Sequence, residues 1–257
     1  MKIRPAACVL LAAALPAFAQ GVERHLYLDA YHYAPSLSGH LTDTSPGSPI
    51  DVDLQNDLGL QKDKTKPGFG LEYQGPRFGI ELSRDEEDYK GQSVLTRSIT
   101  VNGQTYTAAT QVTSTLKAVN NTFNWTIRPL SLDHFWLGID LGARVTQVKV
   151  EVTGDVSGQP VTSSYSTPLP VPQVGPSLGF VAADGRVVAR GYYHLLAYKG
   201  ASYHHAGADL RLFPLSWLGV MVFADTEHFR VPQGSIKSDL DATLDRSGTG
   251  VGVVVRF

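Results

Sequence analysis

The stretch Gly250-Val-Gly-Val-Val-Val-Arg-Phe257 decides the fold class of this 257-residue chain. Apolar residues occupy every second position before Phe257, and the intervening positions hold two glycines, Val254 and Arg256. Successive side chains of a β-strand point to opposite faces, so this alternation predicts a strand with one apolar face. That face carries Val255, Val253 and Val251, with Thr249 at its far end, and the other face carries Arg256, Val254, Gly252 and Gly250.

Six earlier segments alternate in the same way, namely 26–30, 69–73, 78–82, 135–144, 206–212 and 218–225. A strand that crosses a membrane meets hydrocarbon on one face and a polar lumen on the other, so apolar and polar residues must alternate along it. The sheet must also close, because an open edge would leave unpaired amides in lipid. We therefore expect an all-β chain that forms a transmembrane antiparallel up-and-down β-barrel. We expect Val253→Asp to block assembly and Arg256→Gln to be tolerated.

The connections between these segments are of two kinds. Short ones are predicted at 74–77, 128–134, 183–186 and 213–217, and longer polar ones at 36–65, 92–112, 151–170 and 232–241, with a brief one at 199–202. Short turns at one end and mostly longer loops at the other are typical of outer-membrane barrels. Counting strands between the breaks gives ten. Eight is the alternative if the weaker segments 171–182 and 187–198 are miscounted.

The loop at 92–112 contains a hairpin signature. Asn102-Gly103 separates two β-rich runs within 98–107, and Asn-Gly tolerates the positive φ that a two-residue turn requires. We expect this hairpin to stand beyond the membrane and to extend two neighbouring strands.

Aromatic residues lie near the predicted strand ends. Side chains with an apolar ring and a polar tip favour the headgroup level of a membrane, although the same residues could pack a soluble core. They are Tyr31, Tyr33, Tyr73, Phe78, Phe123, Trp125, Phe135, Trp136, Phe213 and Trp217.

The first nineteen residues read as an export signal. Lys2 and Arg4 precede an apolar run from Ala6 to Leu15, and Pro16-Ala-Phe-Ala19 offers the small residues that a signal peptidase reads. This predicts cleavage after Ala19, with residues 1–19 as signal peptide and 20–257 as an outer-membrane β-barrel domain. The apolar run is too short to span a bilayer. A lipoprotein acceptor at Cys8 is disfavoured because most of the apolar run follows it.

Composition excludes several function classes. Cys8 is the single cysteine, so the predicted mature chain has neither disulfides nor thiol chemistry. Without Lys2 and Arg4 that chain carries 20 basic and 24 acidic residues, which argues against nucleic-acid binding. Its apolar runs after the signal are too short for helical membrane spans. A soluble periplasmic β-sandwich remains as the architectural alternative.

Together, the Ala-Phe-Ala cleavage site, the alternating strands and the terminal strand resemble small outer-membrane β-barrel proteins of Gram-negative bacteria, in the broad OmpA-barrel and OmpW-like group. The segments at 50–60, 67–73 and 98–106 also resemble uncharacterised members. The resemblance implies location in the cell outer membrane, contact with membrane lipid and lipopolysaccharide, and recognition by the barrel-assembly machinery through Phe257, Val255, Val253 and Val251. It implies no single activity.

Candidate functional residues lie on the face opposite the apolar one. An uncompensated charge in a narrow lumen is costly, so opposite charges there are expected to pair. The predicted lumen network comprises Asp29, Glu72, Glu81, Asp140, Arg144, Arg190, His194, Asp209, Arg211, Asp225 and Glu227. We expect it to plug the barrel, since 8–10 strands leave little open space. A narrow channel for small solutes is the alternative.

An outer-membrane hydrolase is a further alternative, although we assign no catalytic residue. No Gly-x-Ser-x-Gly motif occurs, and the acid pair and Asp-His pair of the outer-membrane aspartyl proteases cannot be mapped. Asp225 and Glu227 with His228 come closest, but His228 should point away from the other two.

No cofactor or metal site is predicted. His204 and His205 are adjacent and face opposite sides of a strand. The acids Asp51, Asp53, Asp57 and Asp63 and the run Asp85–Asp88 lack the calcium-loop spacing. We expect solvated loop charge or acids that meet lipopolysaccharide-bound cations. The sequence thus favours a porin-like barrel with a structural, passive or surface-binding role and an unknown surface ligand.

Overall fold

A computed structural model describes residues 24–46, 49–235 and 239–257, apart from the side chains of 62–65. The predicted signal peptide lies outside the described residues, and the domain boundary stays a prediction. The strands are β1 (His25–Asp43), β2 (Ile50–Asp53), β3 (Gln61–Thr65), β4 (Pro67–Gln74), β5 (Phe78–Val94), β6 (Ile99–Val101), β7 (Gln104–Tyr106), β8 (Gln111–Ser131), β9 (Phe135–Val156), β10 (Gln159–Ala182), β11 (Val187–Tyr198), β12 (Ala201–Leu212), β13 (Leu218–Val231) and β14 (Leu240–Arg256).

Ten of these strands close into an antiparallel ring. The order is β1, β4, β5, β8, β9, β10, β11, β12, β13 and β14, and β14 pairs again with β1. Beside the last strand, the Phe257 amide donates to the Leu26 carbonyl at 2.9 Å, and the Leu26 amide donates back at 3.1 Å. The ten-stranded barrel is confirmed, and the soluble sandwich is wrong. The described residues include no helix long and apolar enough to cross a membrane.

An apolar belt covers the outside of the ring near the end that carries the short turns. Val251 is 59% exposed and Val253 is 50% exposed, as the alternation of the last strand predicts. The other strands contribute exposed side chains at the same height, including Leu28, Phe69, Leu82, Phe123, Ile139, Leu178, Leu210 and Val222. Such a belt is stable in contact with hydrocarbon, so the chain is an outer-membrane barrel with the short turns at its periplasmic end.

Above the belt the barrel wall continues far beyond the membrane. β9 and β10 have 22 and 24 residues, whereas a membrane crossing needs roughly 9–11. The expected loop at 151–170 is therefore wrong: it is a strand hairpin with a two-residue turn at Ser157 and Gly158, both at positive φ. The polar composition of 151–170 favours a loop, but above the membrane the outward face of a strand is itself polar.

The two faces of β9 exchange polarity at the membrane boundary. Its outward face is apolar up to Val145 and then carries Gln147, Lys149 and Glu151. Its inward face carries Asp140 and Arg144 and then Val148, Val150 and Val152, of which the last two are 0% exposed. Inside, the barrel is thus charged at membrane level and apolar above it.

The Asn-Gly turn is confirmed, but the position expected for its hairpin is wrong. Asn102 and Gly103 have φ of 50° and 77° between β6 and β7. Instead of extending neighbouring strands, the hairpin pairs with β2 and buries Ile99, Val101 and Tyr106 in the apolar core of the extracellular half. We call residues 50–60 and 95–110 together the cap. Burial of the hairpin's apolar face stabilises this arrangement over a projecting one.

Several aromatic residues lie inside the barrel rather than at the headgroup level. Tyr33, Trp136 and Phe213 are buried, and the Arg128 guanidinium lies 4.2 Å from the Trp136 ring centroid. A Cβ at Gly179 would stand 2.2 Å from the Trp136 ring, so glycine is required there. The exposed aromatics that remain consistent with the expectation include Phe78, Phe123, Trp125 and Trp217.

Arg256 ties the periplasmic turns together. Its Nη1 donates to the Gly185 carbonyl at 2.5 Å and its Nε to the Ser216 carbonyl at 2.8 Å, and the guanidinium lies 4.1 Å from the Phe213 ring centroid. Glutamine cannot reproduce these contacts, which argues against the expected tolerance of Arg256→Gln.

Candidate functional site

The lumen at membrane level holds all eleven residues of the proposed network. The strands place them there because each lies on the face opposite the apolar belt. The lumen also holds inward side chains that were not expected there, including Tyr33, Asp85, Glu87, His205 and Arg246.

A periplasmic cluster gathers two arginines and three acids. Arg190 lies 2.9 Å from Glu81 and 2.9 Å from Asp209, and 3.4 Å from Glu72. Arg211 contacts Glu72 at 2.6 Å and Asp209 at 2.9 Å. These five side chains come from β4, β5, β11 and β12, so the cluster spans the lumen from wall to wall.

A second lumen cluster, called the extracellular cluster because it lies on the extracellular side of the first, is centred on Arg246. Its guanidinium lies 2.8 Å from both Glu87 and Glu227 and 3.8 Å from Asp85 and Asp225. Glu227 also binds Arg144 at 2.6 Å. Arg246 therefore joins acids of β5 to acids of β13, which lie on opposite sides of the barrel.

A histidine row lies beside this cluster. His194 Nε2 is 3.0 Å from Asp140, and His205 Nε2 is 3.1 Å from Asp225. Tyr192 stacks on His194 with ring centroids 4.9 Å apart and meets His205 edge-on at 5.0 Å. Both histidines are almost fully buried. The row is a packed layer that joins β9 to β13.

Ser177 also reaches this row but is not placed for nucleophilic catalysis. Its hydroxyl donates to Asp140 Oδ1 at 2.7 Å, so the carboxylate lies between the serine and His194. A catalytic triad requires the imidazole beside the hydroxyl and the acid behind the imidazole. In this order the histidine cannot take the serine proton.

Carboxylates outnumber guanidinium groups in the lumen. Nine acids (Asp29, Glu72, Glu81, Asp85, Glu87, Asp140, Asp209, Asp225 and Glu227) face five arginines (Arg128, Arg144, Arg190, Arg211 and Arg246). The space left among the two clusters is a polar cavity of about 100 Å³, and Asp29 lines it above Gly70. A second cavity of about 70 Å³ lies above, with apolar walls and a floor of Glu87, Glu227 and Arg246.

The acidic loop run is not one cluster. Asp85 and Glu87 point into the lumen, while Glu86 and Asp88 face outward and bind Lys66 at 3.0 and 3.1 Å. The expectation of a solvated run at 85–88 is therefore wrong for its two inward members. The reason is strand geometry, because adjacent residues of β5 cannot share a face.

The acids of the cap have a cation of their own. Arg97 binds Asp51 at 2.7 Å and the buried Asp57 at 2.5 Å. Burial raises the pKa of Asp51, but hydrogen bonds from Arg97 and Thr42 outweigh it and hold the pKa below its usual value. Asp53 instead accepts hydrogen bonds from the Gln55 and Asn56 amides. The side chain of Asp63 lies outside the described residues. Among the described residues, no group of three or more His, Cys, Asp or Glu side chains is placed to hold a metal ion.

The sequence contains a signal for the lumen side chains that were not expected. Arg246 lies on the same alternate positions of β14 as Arg256 and Gly250, and Asp85 and Glu87 continue the face of Glu81 on β5. These residues lie past the apolar belt, where the same alternation still assigns them to the inward face.

The fold is similar to that of the outer-membrane protease OmpT from Escherichia coli. The TM-score is 0.64 at 10% sequence identity, over 93% of this chain and 100% of OmpT. Ail, the attachment invasion locus protein of Yersinia pestis, aligns over 92% of this chain and 100% of its own with 14% identity and a TM-score of 0.35. No protein-family model matches the chain, and no curated protein matches it in sequence. At such identities the likeness establishes the barrel fold alone.

Proposed function

We propose that this protein is a closed outer-membrane barrel whose lumen is a structural plug and whose functional surface is its folded extracellular half. The observation that carries the proposal is the filling of the lumen in two consecutive layers. The paired charges of the two clusters fill it at membrane level, and the apolar core with the cap fills it above.

The charged layer supports a plug because its members bind across the lumen. Arg190 and Arg246 each contact acids from more than one strand. Opening a path there would strip buried charges of their partners, which costs about 3–5 kcal/mol for a broken buried pair. A solute cannot pass without breaking several such pairs.

The apolar layer supports a binding surface rather than a pore entrance. Long hairpins held over a packed core present a rigid extracellular face, whereas channel loops leave the mouth open. A rigid face lowers the entropy cost of binding. The ligand is a surface molecule that the sequence does not identify.

A narrow channel is the second candidate, and the excess of carboxylates over arginines in the lumen favours it. An acid-lined path would prefer cations. Movement of the cap and of Arg246 would both be required to open it.

A hydrolase is the third candidate, and the OmpT-like fold is the reason to test it. The carboxylates of the extracellular cluster would be its acids, but Arg246 stands between those of β5 and those of β13. If the protein shows protease or lipase activity and neither His194→Gln nor Asp225→Asn reduces that activity, the result counts against this candidate.

Single-channel recording in planar bilayers tests the proposal. The refolded protein is expected to give no discrete conductance steps, with a porin in the same membrane as the positive control. A variant in which two glycines replace residues 96–109 is also expected to be silent, because the charged layer remains. Reproducible steps from the native protein would contradict the plug and favour the channel. Steps from the variant alone would place the whole barrier in the cap.

A further inference from the structure

Two histidines stand side by side on the outer surface just above the apolar belt. His204 of β12 is the direct partner of His228 of β13, and His228 is the direct partner of Asp245 of β14. All three point outward, and the side chains of His228 and Asp245 are 43% and 53% exposed. Directly opposed residues of antiparallel strands have Cβ atoms about 4.5–5.5 Å apart.

The hydrogen bonds of the two imidazoles leave matching nitrogens free to bind a metal. His204 Nδ1 is 2.8 Å from the Tyr193 hydroxyl on β11, and His228 Nδ1 is 2.5 Å from Asp245 on β14. Each Nδ1 is thus held on the side away from the other histidine. Nε2 is the ring nitrogen farther from the backbone and its lone pair diverges from that of Nδ1, so each Nε2 is turned outward and toward the gap between β12 and β13.

We propose that His204 and His228 form a two-histidine site for a divalent transition-metal ion, with Zn²⁺ as the reference ion. Neutral imidazole nitrogen is a preferred ligand of Zn²⁺, at roughly 2.0–2.1 Å. A second nitrogen held by a carboxylate or hydroxyl fixes the tautomer and raises ligand basicity. Asp245 and Tyr193 fill these positions. Water completes the coordination.

The surroundings admit a cation at this place. Asp245 supplies a negative charge beside the pair, and Arg230, two residues beyond His228 on the same face, supplies the nearest positive charge of that strand. The neighbours toward the membrane are the small residues Ala206, Thr226 and Ser247, which leave the imidazoles accessible.

Isothermal titration of Zn²⁺ into the detergent-folded protein without a histidine tag tests the site. We expect one equivalent to bind, and His204→Gln and His228→Gln each to weaken that binding at least tenfold. Asp245→Asn is expected to weaken it by about 10–100-fold, as for other carboxylates that orient a metal-bound histidine. Heat-modifiable migration on detergent gels verifies that each variant is folded.

His40→Gln is the matched control. His40 is also exposed and also bound to an aspartate, Asp241 at 3.1 Å, but its strand partners are Thr243 and Asp53 rather than a histidine. Zinc binding should be unchanged in this variant. Absence of binding by the native protein, binding that survives His204→Gln and His228→Gln, or equal loss in His40→Gln would each overturn the proposal.

Discussion

Arg246 links acids on two sides of the closed lumen. Its side chain is only 10% exposed and contacts carboxylates from β5 and β13, and its guanidinium also lies 4.7 Å from the Tyr33 ring centroid. Tyr33 in turn donates a hydrogen bond to Asp225. A planar guanidinium with several donors can serve acids on both sides at once, which lysine or a neutral side chain cannot.

Arg246→Gln is expected to destabilise the folded barrel by about 3–5 kcal/mol, because it leaves buried carboxylates without their cation. Urea unfolding in detergent, followed by the loss of heat-modifiable migration, measures this change. Arg84→Gln is the matched control, since Arg84 is exposed and its pair with Glu86 is at the surface. Such a pair contributes about 0–1 kcal/mol. Equal stability of both variants would contradict the central place of Arg246.

Among the elements, β10 shows how the tall wall protects its edge. The two-residue turn at Ser157 makes Val156 and Gln159 a hydrogen-bonded pair. The backbone N–H and C=O groups of odd-numbered β10 residues therefore bond to β9, and those of even-numbered residues point to the opposite edge of the strand, where β11 lies. β11 pairs with β10 only from Val174 onward. The edge above it carries Pro168, Pro170 and Pro172 at even positions, where proline removes the N–H that another strand would bind.

Replacing these three prolines with threonine is expected to make the folded barrels associate, because it restores three edge donors. Size-exclusion chromatography and light scattering in detergent measure the association. Ser164→Thr with Ser166→Thr is the control, since it adds β-branched residues on the same edge without adding donors. A monomeric triple variant would show that the prolines have no protective effect.

The cap has an ion-pair contact of its own, formed by Arg97. Arg97 joins β2 and the turn after it through Asp51 and Asp57. The folded pKa of Asp51 lies below its usual value. This pair therefore contributes stability that is fully present above the unfolded pKa of about 4. The contribution is lost as the pH falls through the folded pKa.

Hydrogen exchange in residues 50–60 and 95–110 tests this contact. Arg97→Gln is expected to lower the protection factors there by up to about fivefold at neutral pH, the range of a partly exposed pair. In the native protein the same loss should follow acidification below about pH 4, whereas the variant should change little. Protection in β9 at membrane level is the internal control and should stay constant. An unchanged cap in Arg97→Gln would contradict the role of this pair.

At the scale of the whole molecule, the barrel reverses its polarity along its axis. Apolar side chains face out at membrane level and in above it, so the surroundings at each height decide which face is apolar. At membrane level the apolar side chains leave water by facing the lipid, and above the membrane they leave water by facing the interior of the barrel. One continuous set of strands serves both.

The position of the membrane predicts a depth dependence along β14. Val253→Asp is expected to lower the folded fraction because a carboxylate deep in the belt costs up to about 2 kcal/mol. Thr249→Asp, on the same face but at the far end of the apolar stretch, should cost less than about 1 kcal/mol. Both residues are exposed on the lipid-facing side. The folded fraction on detergent gels after refolding into lipid vesicles measures the difference, and equal effects would contradict the assigned membrane level.

The sequence by itself determined the fold class, the short turns and the Asn-Gly turn, and it favoured ten strands over eight. These follow from alternation and turn chemistry, which act between neighbours in the chain. It also placed side chains such as Glu72, Arg190 and Asp209 on the inward face. Alternate residues of a strand share a face, so the face of each residue is known wherever one side of the strand is clearly apolar.

Only the tertiary structure decided what the inward face contacts and where the membrane ends. Arg246 meets Glu87 across the lumen, and Tyr106 of the hairpin turns into the core, because ring closure brings together strands far apart in sequence. The residue of β9 at which the apolar side changes from outward to inward depends on where the membrane boundary falls along the whole barrel. Local alternation fixes a face for each residue, and closure of the ring fixes the partner that the residue finds there.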